Sequence, residues 1–262
     1  MRLEARIVAA HAWGPRGADV PLTAARASFL APEPVRPEAV AAGVWRRASR
    51  ISRLAIAAVA PAAAHLDAHT PLLFGTGVGE FASTASFLET LFRKGQAGAS
   101  PLAFQNAVHN APASHLAMAF GLRGPCETLC AGPGTSFAVL ERALVALRVR
   151  GERVLVVLAD ECGSAVAAGL GYTGLALGEG AAAFVLDAEP GGARLVMDDG
   201  PPPDEAWSRR ASWPGEAARE SVRAHEAHLG MSQVVDGLAL VGLFYEGGGA
   251  IVDGPRVVRI VR

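Results

Sequence analysis

Residues 100–138 read SPLAFQNAVHNAPASHLAMAFGLRGPCETLCAGPGTSFA, and this stretch decides the fold. Pro112 predicts the start of a helix that ends near Phe120, and residues 127–131 are typical of a short strand. Gly132-Pro133-Gly134 predicts a sharp turn. Apolar residues at helical spacing then predict a helix over 135–150. The segment therefore predicts a strand, a tight turn and a helix in direct succession.

Further strands are predicted on both sides of this segment. Apolar runs of strand length lie at 71–77, 153–159 and 178–186, and another strand is predicted over 3–13. The runs at 153–159 and 178–186 have the continuous apolar character of strands that are buried on both faces. These strands provide the sheet of the predicted fold.

Helices are predicted between the strands. The spacing of apolar residues predicts helices over 44–66 and 83–92, and a polar helix over 214–229 precedes short strands over 237–262. Because strands alternate with helices, we expect an α/β fold. Its sheet should be mixed, mostly parallel, and covered by helices on both faces.

The composition narrows the class of function. The chain has 262 residues and a net charge of −1 at pH 7, so it lacks the basic excess that nucleic-acid binding needs. No apolar run reaches the roughly 20 residues of a membrane span. Three cysteines are too few, and odd in number, for a disulfide framework. We therefore expect a cytoplasmic protein with no nucleic-acid partner and no membrane span.

Four motifs follow one another in a characteristic order. They are the loop Gly121-Leu-Arg-Gly-Pro125, the strand–turn–helix after it, the run Val154-Leu-Val-Val-Leu-Ala-Asp160, and Gly178-Glu-Gly-Ala-Ala182. In these motifs the sequence resembles the N-terminal half of β-ketoacyl synthases, the condensing enzymes of the thiolase superfamily, over about residues 1–187. It looks most like the β-ketoacyl synthase-like N-terminal domain group, which is associated with aryl-polyene and fatty-acid-like pathways.

The resemblance implies a thiolase-like fold and a set of partners. It implies a ketosynthase-like N-terminal domain at 1–189 and a shortened C-terminal segment at 190–262 that completes the same domain. It also implies a homodimer or a heterodimer with a ketosynthase, and contact with an acyl carrier protein. Because acyl carrier proteins are acidic, the arginines of the helix over 44–66 are candidates for that contact, with a solvated helix face as the alternative. These are Arg46, Arg47, Arg50 and Arg53.

The chain departs from the family at one decisive position. In the enzymes it resembles, the nucleophilic cysteine lies on the strand–helix turn, eight residues after the Gly-Pro pair, and here that position is Pro133. Proline has neither a thiol nor an N–H, so we expect no catalytic residue there. Cys130 and Ser136 remain as alternative nucleophiles. Their simpler interpretations are a small core residue and a residue at the start of the helix.

The other polar motifs are predicted to be structural. Glu179, between two glycines, is expected to accept hydrogen bonds from the backbone, as the resemblance implies. The glycine-rich stretch 75–79 is expected to form a tight strand–helix turn, since it fits no phosphate-binding fingerprint. Pairs of histidines lack the further ligands of a metal site, so neither a metal nor a cofactor is expected. These pairs are His65 and His69, His109 and His115, and His225 and His228.

Three functional hypotheses follow. The first is a ketosynthase-like subunit without condensing activity that pairs with an active β-ketoacyl synthase in a fatty-acid, polyketide or aryl-polyene-type pathway. The second is an active acyltransferase or thioester hydrolase that uses Cys130 or Ser136. The third is a non-catalytic module that binds an acyl chain.

Overall fold

The computed structural model describes residues 2–14, 17–18, 31–162, 178–199, 207–209, 235–246, 248–253 and 256–262. Its strands are β1 (Leu3–Gly14), β2 (Gly17–Ala18), β3 (Leu72–Gly75), β4 (Cys126–Leu129), β5 (Val154–Asp160), β6 (Gly180–Asp187), β7 (Arg194–Asp198), β8 (Trp207–Arg209), β9 (Gly249–Asp253) and β10 (Arg256–Val261). Its α-helices are α1 (Ala42–Arg47), α2 (Arg50–Val59), α3 (Phe81–Lys94), α4 (Pro101–Gln105), α5 (Ala111–Phe120), α6 (Thr135–Arg150) and α7 (Val235–Glu246). Short 3-10 segments lie at Ala60–His65, Gly95–Gly98 and Gly132–Gly134.

The strands form one sheet in the order β4-β3-β5-β6-β1-β7-β10-β9-β8, with β2 paired to β1. β3 runs parallel to β4 and to β5, and β8 runs parallel to β9. The other pairs among the described strands are antiparallel. The predicted mixed α/β sheet is confirmed, but its parallel pairs are a minority. A continuous apolar run indicates that a strand is buried on both faces, but it does not indicate the direction of the strand. The prediction of a mostly parallel sheet therefore overestimated the number of parallel pairs.

Helices cover both faces of the sheet, as predicted. α2 and α5 pack on one face, against Leu155 and Val157 of β5, and α6 and α7 pack on the other, against Val156 and Leu158. Each fully buried Leu, Ile or Phe in these layers contributes roughly 1.5–3 kcal/mol to folding. The central strands are therefore fixed from both sides.

The predicted helix over 44–66 is divided in the structure. α1 ends at Arg47, and α2 begins at Arg50 after Ser49, whose Oγ accepts a hydrogen bond from the Ser52 amide at 3.3 Å. Serine is a strong N-cap because its oxygen satisfies a free amide of the first turn. The apolar spacing continues across this cap, so spacing alone did not reveal the break.

The helix predicted over 135–150 is confirmed with the same bounds. Gly151 ends α6 in the left-handed conformation (φ 68°), and its amide donates to the Leu147 carbonyl. Arg148 and Arg150 lie in the last turn, where positive charge stabilises the helix dipole.

The prediction of short strands over 237–262 is wrong in its first part. Residues 235–246 form α7, and β9 and β10 follow it. The run from Leu238 to Phe244 is almost entirely apolar, and such a run shows neither the period of a helix nor that of a strand. The polar helix predicted over 214–229 lies outside the described residues. Within the ranges given above, no helix has both the length and the apolar character of a membrane span.

Candidate functional site

The candidate site lies where three parallel strands end. β3, β4 and β5 are parallel, so the residues that follow them meet at one edge of the sheet: Thr76, Cys130 and Glu161. β6 is antiparallel to β5 and pairs Gly180 with Asp160, so Glu179 joins the same edge. In open α/β sheets, ligand sites form at the carboxyl ends of parallel strands. The candidate nucleophiles Cys130 and Ser136 and the buried glutamates Glu161 and Glu179 therefore lie at one end of the molecule.

The elbow between β4 and α6 is held by Thr135. Its Oγ1 accepts a hydrogen bond from the Ala131 amide at 3.0 Å and donates to the Gly132 carbonyl at 2.7 Å. Gly132 has a φ of 59°, which glycine adopts without strain. The turn Gly132–Gly134 predicted from sequence is therefore a 3-10 segment that leads directly into α6.

Pro133 lies in the middle of this elbow. A thiol at such a position gains from the free amides and the dipole at the start of the helix, which lower its pKa and make it nucleophilic. Proline offers no atom that can form a thioester. The elbow is therefore a tight strand–helix turn whose central residue cannot act as a nucleophile.

Cys130 lies at the end of β4 and is exposed. Its Sγ donates a hydrogen bond to the Gly77 carbonyl at 3.4 Å, and no base contacts it among the residues that the structure describes. The expectation of a core position is wrong, because β4 is the last of the described strands in the sheet and pairs with β3 alone among them. Cys130 is accessible, and the described residues place no base beside it that could activate it as a nucleophile.

Ser136 occupies the first turn of α6 and is fully buried. Its Oγ has no hydrogen-bond partner in the described part of the chain. A catalytic serine needs both a base and access to substrate. The structure gives Ser136 the environment of a core residue at the start of a helix.

Asp160 fixes the turn that follows β3. One of its oxygens accepts hydrogen bonds from Thr76 Oγ1 and the Gly77 amide, each at 2.8 Å, and from the Val78 amide at 3.3 Å. Gly79 closes the turn with a φ of 59°. The glycine-rich stretch 75–79 is thus a tight turn whose amides bind an internal carboxylate, in agreement with the structural interpretation.

Glu179 is fully buried, and both of its carboxylate oxygens accept hydrogen bonds. The guanidinium of Arg50 donates to both of its oxygens, and the amides of Ala31 and Cys162 donate at 2.9 and 3.1 Å. The predicted role of Glu179 as an acceptor for backbone groups is confirmed by these contacts. A buried carboxylate needs a paired cation or several hydrogen-bond donors, and Arg50 supplies the cation for Glu179.

Glu80 is a second fully buried carboxyl group at this edge. It accepts hydrogen bonds from the hydroxyl of Ser49, from Ser83 Oγ at 2.7 Å and from Ser52 Oγ at 3.5 Å. Ser52 also contacts Nδ1 of the buried His115 at 3.0 Å. Burial raises the pKa of Glu80, and the three serine hydroxyls oppose this shift.

Glu161 is the third carboxyl group and is 5% exposed. Its Oε1 has no hydrogen-bond partner within the ranges that the structure describes. Burial, reinforced by the negative charge of Glu80, raises the pKa of Glu161 to about 7. We call Glu80, Glu161 and Glu179 the acidic cluster.

The arginines predicted as a docking surface divide into two pairs. Arg50 and Arg53 form ion pairs with Glu33 at 2.7 and 2.9 Å, and Arg53 stacks 5.6 Å from the Trp45 ring centre. Arg46 and Arg47 are exposed. Of the four arginines, only Arg46 and Arg47 are therefore available to an external partner.

A family model described as "Beta-ketoacyl synthase, N-terminal domain" matches residues 24–205, which is more than half of the chain. The match includes the elbow, the parallel strands and the acidic cluster. The chain belongs to this β-ketoacyl synthase family. A search of curated proteins finds no match.

Solved structures share the ketosynthase fold over the whole chain. A ketosynthase in complex with its chain length factor from Xenorhabdus doucetiae is 16% identical, with a TM-score of 0.67 and coverage of 99% of this chain and 100% of that one. The ishigamide ketosynthase/chain length factor is 15% identical, with a TM-score of 0.69 and coverage of 98% and 99%. A type II polyketide synthase acyl-carrier protein in complex with its ketosynthase bound to the hexaketide gives 13% identity, a TM-score of 0.71 and coverage of 99% and 99%. At these identities the similarity shows the thiolase-like fold alone.

Sequence reasoning missed two members of the acidic cluster. Glu80 follows the glycine-rich turn after β3, and Glu161 follows Asp160 at the end of β5. The available signal was a carboxylate placed directly after a buried strand, since such a position lies at the edge where sites form. In this β-ketoacyl synthase family member, the edge therefore holds three buried glutamates, of which the sequence motifs predicted only Glu179.

Proposed function

We propose that this chain is a ketosynthase-like subunit without condensing activity that pairs with an active β-ketoacyl synthase. The observation that carries the proposal is Pro133 at the centre of the elbow. Condensation requires an acyl group to be held covalently on the enzyme, and Pro133 cannot hold one. The pathway would be of the polyketide, fatty-acid or aryl-polyene type.

The edge of the sheet at β4 supports pairing. Within the described chain, β4 pairs only with β3, so its outer edge offers free backbone donors and acceptors. An uncovered strand edge is a template for pairing with another chain. Cys126 and Cys130 at its two ends are both exposed. We expect a partner subunit to cover this edge.

Exposed apolar side chains on α3 and α4 support pairing independently. No residue of α3 or α4 is fully buried. Phe92 is 83% exposed and Phe104 is 61% exposed, and Leu88 and Leu102 are also exposed. Clusters of large exposed apolar residues mark surfaces that bind other proteins. We call these four residues the apolar patch.

The solved complexes named above suggest the kind of partner. Two of them include a ketosynthase and a chain length factor, and the third joins a ketosynthase to an acyl-carrier protein. By analogy, this chain would take the place of the non-condensing subunit. Arg46 and Arg47 would supply positive charge for an acidic carrier protein.

A condensation assay tests the main proposal. The purified chain, incubated with acyl and malonyl thioesters of a carrier protein, should form no β-ketoacyl product, and product should appear when an active ketosynthase is added. Product formed by the chain alone would overturn the proposal.

The partner surface is tested by binding. Phe92→Glu places a charge in the apolar patch and should weaken association with the ketosynthase, or self-association, by at least about tenfold. Val149→Glu is the matched control, because Val149 is also apolar and 78% exposed but lies near the end of α6. Equal affinities for wild type and the Phe92 variant, measured by light scattering or calorimetry, would exclude the patch as the interface.

The exposure of Cys130 favours a second candidate function, acyl transfer or thioester hydrolysis. Intact-protein mass after incubation with an acyl thioester decides between the two functions. An adduct that is absent from Cys130→Ser would support the second candidate. We expect no adduct, since no described base activates this thiol.

A further inference from the structure

The acidic cluster has no part in the proposed function, and it places three carboxyl groups in the protein interior. Glu80 and Glu179 are fully buried and Glu161 is 5% exposed. They lie where α2 and α3 begin, because Ser49 and Arg50 at the start of α2 contact Glu80 and Glu179, and Glu80 directly precedes α3. Three buried negative charges at one place require compensation.

Two of the three carboxyl groups are compensated as anions. Glu179 accepts from the Arg50 guanidinium and from two backbone amides. Glu80 accepts from three serine hydroxyls, and hydroxyl donors stabilise a charged carboxylate.

Glu161 differs from the other two. Its Oε1 is buried and has no partner among the described residues, whereas a protonated carboxyl group would carry a hydrogen there. The amides of Ile51 and Ala82, in the first turns of α2 and α3, favour the charged form, but burial and the charge of Glu80 outweigh them. The carboxyl group of Glu161 thus lies between the N-terminal ends of two helices.

We propose that Glu161 binds a proton in the native state at mildly acid pH, and that release of this proton as the pH rises above neutral loosens the first turn of α3 from α2. The bound species is a single proton, held on the one carboxyl group of the cluster that has an oxygen without a partner among the described residues. Its release places a third negative charge beside Glu80 and Glu179.

α3 is the element that responds because it is weakly attached elsewhere. None of its residues is fully buried, whereas Glu80 at its N-terminal end is. Thr84 Oγ1 adds a hydrogen bond to the Ala107 carbonyl at 2.9 Å. Repulsion at the cluster therefore acts on the point where α3 is best anchored.

The charged and titratable groups around Glu161 come from several elements. They are Glu80 before α3, Glu179 before β6, Arg50 in α2, Asp160 and Cys162 beside Glu161, and His115 in α5 with Arg47 of α1 near it. Burial lowers the pKa of His115 and raises the pKa of Cys162 to about 11. Both groups are therefore neutral across pH 7 to 9, and Glu161 is the group that changes charge.

The size of the effect follows from linkage. The pKa of Glu161 is raised from 4.5 to about 7, so its contribution to stability is fully present below pH 4.5 and is lost as the pH rises through 7. If α3 opens to water and the pKa returns to 4.5, the opening equilibrium increases about tenfold between pH 6 and pH 8.5.

Hydrogen exchange of the full-length chain tests the proposal. Protection factors of amides in residues 81–94, corrected for intrinsic exchange rates, should fall about tenfold from pH 6 to pH 8.5 in the wild type. Glu161→Gln should keep its protection at both pH values, because its amide group is neutral at both. Glu152→Gln, at an exposed position, should behave like the wild type.

Two outcomes would overturn the proposal. One is protection of α3 that does not change with pH in the wild type. The other is an equal loss of protection in the wild type and in Glu161→Gln. Should the glutamine variant fail to fold, a carbon-13 NMR titration of the wild-type glutamate carboxyl groups decides instead. One signal that titrates near pH 7 supports the proposal, and its absence contradicts it.

Discussion

The elbow and the acidic cluster lie at the same edge of the sheet but are stabilised by different kinds of interaction. The elbow is shaped by the backbone, by Gly132 and by the hydroxyl of Thr135, and its central residue Pro133 carries no charge. The acidic cluster consists of buried carboxyl groups, two of which accept hydrogen bonds from specific partners inside the protein. The comparison teaches that the backbone and one hydroxyl can maintain the shape of the elbow, whereas loss of a carboxyl group such as Glu179 leaves its buried donors without an acceptor.

The largest effect is expected for Glu179→Ala. The variant leaves the Arg50 guanidinium and the amides of Ala31 and Cys162 without their acceptor. Since Arg50 is only half-buried and can regain some water, we expect a loss of about 3 kcal/mol in the free energy of unfolding. Urea denaturation at pH 7 measures it.

Glu33→Ala is the matched control for this prediction. Glu33 is the other carboxylate that pairs with Arg50, but its side chain is 51% exposed. An exposed ion pair contributes less than about 1 kcal/mol. Similar losses in the two variants would mean that burial of the acidic cluster does not determine its contribution, and the contrast with the elbow would disappear.

A smaller effect is expected at Gly79, in the turn that connects β3 to Glu80. Gly79→Ala forces a side chain into a backbone with φ 59°, and the added Cβ would lie 1.8 Å from Nδ1 of His109. Left-handed strain costs about 1–2 kcal/mol and the displacement of an exposed histidine adds to it, so we expect about 2–3 kcal/mol of destabilisation. Thermal or urea unfolding measures this loss.

Two further variants separate strain from contact at Gly79. Gly121→Ala places a side chain in a left-handed backbone (φ 68°, ψ 25°) with open space around the added atom, so it should cost about 1 kcal/mol. Adding His109→Ala to Gly79→Ala should recover the difference. No recovery would show that backbone strain, and not the contact with His109, causes the whole loss of stability in Gly79→Ala.

The parts of the fold that the sequence predicted best are those with strong local signals. α6 could be predicted with its bounds because its apolar spacing lies between a glycine-containing turn and a left-handed glycine cap. α7 could not, since its apolar run is equally typical of a buried strand. Strand direction also escaped prediction, because it is set by connections between distant segments.

The candidate site was predicted only where a motif places the residue. Pro133 was found from its spacing to Gly124-Pro125, and Glu179 from the glycines around it. Glu80 and Glu161 are 81 positions apart in the chain and meet only because β3 and β5 are parallel neighbours. No local pattern encodes that meeting, and the same is true of the exposure of Cys130, which depends on β4 lying at the edge of the sheet.

The smallest effect is expected for Pro133→Ala at the centre of the elbow. Proline restricts the unfolded chain, so its replacement by alanine should lower the free energy of unfolding by only about 0.4–1 kcal/mol. The hydrogen bonds between Thr135 and the backbone of Ala131 and Gly132 do not involve this residue and should persist. A loss near that of Glu179→Ala, measured by the same urea denaturation, would contradict the view that the backbone and Thr135 maintain the elbow. It would mean instead that Pro133 itself holds the turn.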